Sequence, residues 1–78
     1  MSKALVKHSV TVAGHRTSIS LEPEFWNALR KLALAHQRSV GAEIAAIDST
    51  RGGRNLSSAI RLAVLEAACA GKIAHGAD

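Results

Sequence analysis

The sequence predicts a mainly α-helical chain with one short N-terminal strand, and three observations carry that reading. Hydrophobic residues make up 47% of the 78, yet the aromatics are only Phe25 and Trp26. Ala, Leu, Ile and Val supply nearly all the rest, a composition suited to packed helices. Apolar residues recur at helical spacing in three stretches between Pro23 and Ala70, whereas clean two-residue alternation is confined to Arg16 through Leu21.

From the N-terminus, Val6 to Val12 is rich in β-branched residues, but its alternation is loose and it lacks a convincing buried face. Residues 1–13 are therefore read as a flexible or extended basic arm, in preference to a hairpin folded about Ala13 to His15. Arg16 to Leu21 follows as the strand, with Thr17, Ile19 and Leu21 on one face and Arg16, Ser18 and Ser20 on the other. Pro23 suits the first turn of a helix, and Glu22 and Glu24 complement its partial positive charge. That helix runs from about Pro23 to His36, with Phe25, Leu29 and Leu32 on one stripe. Ser39 caps a second helix in which Val40, Ile44 and Ile47 repeat the spacing, ending near Asp48 or Ser49. Gly41 weakens it locally. Gly52 and Gly53 mark a loop, and Asn55 or Ser57 caps a third helix, about Leu56 to Ala70, that is apolar around most of its circumference. Gly71 stops it. The domain is thus placed at 14–70 and a frayed tail at 71–78, with no internal repeat standing out.

A chain this short buries only about 60% of its unfolded surface, which makes a solitary core marginal. Cys69, the one cysteine, cannot form an internal disulfide, and no Cys/His spacing suggests zinc or another metal. Association of two copies is the remaining source of stability. A lone strand also leaves its backbone groups unpaired. Two copies pairing their strands about a two-fold axis would form an antiparallel ribbon, an obligate and intertwined homodimer. Its core is expected to comprise Ile19, Leu21, Phe25, Trp26, Leu29, Ile44, Ile60 and Val64.

Ten Lys and Arg against six Asp and Glu leave a net charge of +4, which suits either a polyanionic partner or simple solubility. The chain has no apolar run of membrane-spanning length and no secretory leader, so it reads as cytoplasmic, and nucleoid-associated if the polyanion is DNA. Its carboxylates show no catalytic grouping, and no catalytic residue, cofactor or enzymatic activity is expected. A β-ribbon fits the DNA major groove, where Ser18 and Ser20 offer short donors and acceptors and Arg16 a planar fork for guanine. On alternation alone, an ordinary solvated strand face explains those three residues as well.

The run Gly14-His15-Arg16-Thr17-Ser18-Ile19-Ser20-Leu21-Glu22, with Phe25-Trp26 and Asn55-Leu56-Ser57-Ser58-Ala59-Ile60-Arg61 further on, resembles the ribbon-helix-helix superfamily of Arc and MetJ type repressors. It is most similar to a group of short bacterial members. The resemblance covers roughly His8 to Ala68 and implies double-stranded DNA as the partner of a homodimer, or of a higher assembly. It implies base contacts from Arg16, Ser18 and Ser20. It further implies phosphate contacts at a second-helix start, which spacing puts at Ser39 and Val40, with Asn55 to Ser58 as the alternative register. Lys7, Arg51 and Arg54 join the expected phosphate contacts through their charge. The loop and third helix read as additions to the usual two-helix plan. The function so implied is a sequence-specific, repressor-like transcriptional regulator. The alternative is a protein-binding module, antitoxin-like or adaptor, built on the same dimer, although the short segment after Gly71 offers little to wrap a toxin.

Overall fold

The computed structural model describes residues 4–71, so the tail expected over 72–78 lies outside the described residues. Its elements are β1 (Val6–Val12), β2 (His15–Leu21), α1 (Pro23–Ala35), α2 (Val40–Thr50) and α3 (Leu56–Cys69). The helices fall where their periodicity and caps place them. Ser39 Oγ accepts from the Ala42 N–H at 3.0 Å, and Asn55 Oδ1 from the Ser58 N–H at 2.8 Å. Asn55 is therefore the cap of α3, which leaves the Ser57 hydroxyl free for another task.

The N-terminal reading needs correction. Val6–Val12 is a full strand rather than an arm, paired antiparallel with β2 in the same chain. Ala13 and Gly14 make the turn, both at positive φ, 52° and 84°. That conformation is the type I′ geometry that matches the twist of paired strands. An alanine there costs about 1–2 kcal/mol relative to glycine's freedom, so the turn carries none of the usual Asn-Gly signature. The missing buried face of β1 has a specific cause. His8, which looks polar in sequence, lies flat on the Trp26 indole, ring centroids 3.6 Å apart and planes 6° from parallel. The imidazole serves as an aromatic, and with Val10 and Val12 completes an inner face on the helices.

The core gathers Val12, Ile19, Leu21, Leu29, Leu32, Ile44, Ile47, Ala59, Ile60, Val64 and Ala67. Leu21, Leu29, Ile44 and Ile60 are fully buried within this one chain. Of the residues expected to form a dimer core, Ile19, Leu21, Leu29, Ile44, Ile60 and Val64 are thus the interior of a single chain. Phe25 and Trp26 are half-buried against it. β2 needs no second chain to pair with, so no lone strand compels an intertwined dimer. Packing of α1 on α2 is reinforced by Glu43, 3% exposed. Its carboxylate meets His36 Nδ1 at 2.9 and 3.0 Å and accepts from Arg38 Nη1 at 3.4 Å.

Candidate nucleic-acid interface

Residues directly opposite in an antiparallel pair share a face. The register sets Lys7 beside Ser20, Ser9 beside Ser18 and Thr11 beside Arg16. Since Val12, Ile19 and Leu21 are buried, these six residues face away from the helices. Five are exposed and Ser20 is half-buried. The face is therefore built of two cations and four hydroxyls, with no carboxylate. Arg16 lies across the strands, its Nη2 donating to Ser9 Oγ at 2.8 Å. That contact holds the guanidinium over the ribbon with its remaining donors unspent.

A two-residue hairpin closes on a hydrogen-bonded pair, here Val12 and His15, and the ladder then alternates. Thr11, Ser9, Lys7 and their partners are consequently the non-hydrogen-bonded positions, whose backbone groups point to the ribbon's edges. Two contacts agree with this. The Thr11 carbonyl on the β1 edge faces Gly41 so closely that a Cβ added there would sit 2.9 Å away. On the β2 edge, the Ser20 carbonyl accepts from Ser57 Oγ at 3.1 Å. The N-termini of α2 and α3 therefore flank the ribbon on opposite edges and toward opposite ends. Each brings the partial positive charge and unpaired N–H groups of a helix start. The two alternative registers for the family's phosphate-facing turn, Ser39 and Asn55 to Ser58, both adjoin the ribbon.

The remaining cations divide. Lys7 stands on the outward face itself, in line with the serines, rather than off to the side. Arg51 is engaged at the end of α2, with its Nε on Asp48 and its Nη1 donating to the Arg54 carbonyl at 2.6 Å. Arg54 is exposed in the loop beside it. Arg51 nonetheless lines an open groove of about 670 Å³, shared with Ser18, Ser20, Asn55 and Ser57, along the β2 edge. Arg61 is spent inside the fold. Its Nε and Nη2 donate to Glu22 at 3.0 and 3.3 Å, and it lies 5.8 Å from the Phe25 ring centroid. The Arg61 bond and the backbone N–H of Glu22 hold that carboxyl below the usual carboxylate range. Ser9 and Thr11 escaped the sequence reading because β1 was not paired there. Their signal was the alternation Lys7, Ser9, Thr11, visible once a turn is placed at Ala13-Gly14.

Among the described residues, no group of three or more His, Cys, Asp or Glu is placed to hold a metal ion. No helix there is long and apolar enough to cross a membrane.

A two-stranded ribbon laid over three helices, its outer face cationic and hydroxyl-rich, defines a small domain with an exposed β-ribbon. The family model for the ribbon-helix-helix domain matches residues 5–68, both strands and all but the last residue of α3, and the chain belongs to that family. The third helix, expected as an addition, lies inside the matched domain. Members of the family are generally DNA-binding regulators. No match was found among curated proteins or among solved structures.

Proposed function

We propose that this protein is a sequence-specific DNA-binding transcriptional regulator, repressor-like in action, that reads the major groove with the outer face of its ribbon. The observation that carries the reading is the composition of that face: Lys7, Ser9, Thr11, Arg16, Ser18 and Ser20 supply cations and short hydrogen-bonding groups with no opposing carboxylate. In this reading Arg16, Ser18 and Ser20 contact bases. Ser39 and Val40 hold a phosphate at the α2 N-terminus, and Lys7 and Arg54 add charge, with Arg51 contributing from its loop position. The homodimer belongs to the same reading, now through helices rather than the ribbon. Leu62 and Leu65 stand 38% and 56% exposed on α3, an apolar pair available to a second copy.

The test is Arg16→Ala. Its side chain is exposed, so the fold should be unchanged by circular dichroism. Discrimination between the best site and random DNA should fall by about 1–3 kcal/mol at matched salt. Equal binding of the best site by parent and variant would overturn the assignment. A second reading, the antitoxin-like or adaptor module, draws on the same exposed Leu62 and Leu65. Light scattering separates the two, since a stable dimer favours self-association and a monomer that co-purifies with another small protein favours the module.

A further inference from the structure

α1 buries one stripe and leaves the opposite one to solvent. Leu29, Leu32 and Ala33 are buried, whereas Asn27, Arg30, Lys31 and Leu34, spaced i, i+3, i+4 and i+7, lie on the far side of the helix and are exposed. Among the described residues neither Arg30 nor Lys31 forms an ion pair. No acidic residue stands three or four positions from either, where a helix sets a compensating charge. Leu34, 78% exposed, is the most exposed large apolar side chain among the described residues. Where the chain turns from α1 into α2, Arg38, Ser39 and Val40 come alongside and, with Ala33, complete an open groove of about 600 Å³. Its lining combines three cations, Arg30, Lys31 and Arg38, with the apolar Ala33, Leu34 and Val40, and contains no carboxylate. Arg38 reaches Glu43 through Nη1, at 3.4 Å, which leaves its other donors for a ligand.

Charge of one sign beside exposed apolar surface defines what fits: carboxylates for the cations and an aliphatic side chain for Leu34 and Val40. A nucleic-acid backbone meets the first condition and not the second. A second copy of this chain falls short on the first. Glu22 is bonded to Arg61, Glu43 to His36 and Arg38, and Asp48 to Arg51. Among the described residues that leaves Glu24 and Glu66, single carboxylates on different helices. We propose that the groove docks an acidic, amphipathic helical segment of another protein. Asn27 to Leu34 covers about 10 Å at about 1.5 Å per residue, so the complementary segment is about two helical turns long, with carboxylates flanking one or two leucine-like anchors. The anchor covers Leu34 and Val40, and the carboxylates meet Arg30, Lys31 and Arg38 around it, where exclusion of water strengthens each pair. No strand residue lines the groove. The docking surface is therefore separate from the ribbon's outer face and does not depend on that face binding DNA.

The experiment titrates the intact, isotope-labelled protein with a synthetic helical peptide that carries two leucines flanked by glutamates, and follows backbone amide shifts by NMR. Shifts should concentrate at Asn27, Arg30, Lys31, Leu34 and Arg38. The same peptide with glutamine at every glutamate should bind about tenfold more weakly, since several charge pairs are lost together. The double variant Arg30→Glu, Lys31→Glu should weaken the glutamate peptide by about the same factor, and so should Leu34→Ser. These side chains are exposed, so the variants should keep the parent's urea midpoint, and the two-peptide comparison on the parent protein stands without them. Absence of shifts at the groove, equal binding of the two peptides, or shifts centred on Leu62 and Leu65 would overturn the proposal. A short DNA duplex that moves the groove amides where the peptide does not would overturn it in favour of a phosphate backbone. Groove shifts produced by raising the protein concentration alone would overturn it in favour of a second copy.

Discussion

Gly41 occupies the second position of α2, where alanine would ordinarily stabilise a helix by about 0.8–1 kcal/mol. The structure reverses the expected sign of Gly41→Ala. The added Cβ would lie 2.9 Å from the Thr11 carbonyl oxygen, against 3.4–4 Å for ordinary contact. α2 and β1 must therefore separate by at least the difference between 2.9 and 3.4 Å. Neither side yields easily. The carbonyl belongs to a paired strand, and α2 is held by buried Ile44 and by the Glu43 contacts with His36 and Arg38. Overpacking of this kind costs about 1–3 kcal/mol. Against the helix-forming gain, the net expectation is a loss of about 1 kcal/mol, or about 4–8 °C in Tm for a domain of this size. Urea unfolding should show a lower midpoint with an unchanged m-value. Gly53→Ala, where a Cβ meets nothing within 4 Å, is the control and should change little. A Gly41→Ala protein more stable than its parent would refute the close approach of α2 to the ribbon. It would also remove the reason for placing that helix start beside Thr11.

Glu22→Gln should flatten the acid limb of the stability profile. The folded carboxyl is lowered, first by its bond to Arg61, so as pH falls the unfolded chain takes up the proton before the folded one. The Glu22 contribution is then present above the ordinary glutamate range and disappears as pH falls through it toward the folded value. Urea midpoints from neutral to acid pH should converge for parent and variant at the acid end, and parallel curves would refute the linkage. Ile60→Ala removes a fully buried side chain and should cost about 2–5 kcal/mol by denaturant unfolding. The loss should not depend on protein concentration, because Ile60 is interior to one chain. A concentration-dependent loss would place it at a subunit interface instead.

The three helices, the cap at Ser39 and the two-faced character of Arg16 to Leu21 were legible in the sequence, because these rest on local periodicity and local hydrogen bonds, whereas the choice of Asn55 over Ser57 as the cap of α3 came from the fold. The sequence also marked Arg16, Ser18 and Ser20 as outward residues, which alternation alone dictates. What β2 pairs with was settled by contacts between residues distant in the sequence. A histidine counts as polar until a tryptophan from a following helix lies against it, and an Ala-Gly turn is silent until both residues are forced to positive φ. The same pairing moved Ile60 and Val64 from a supposed interface to the interior of one chain and brought Ser9 and Thr11 onto the outward face of the ribbon. Side-chain chemistry is local and legible. Which strand completes a ribbon depends on packing between distant residues, and that decides whether the ribbon belongs to one chain or two.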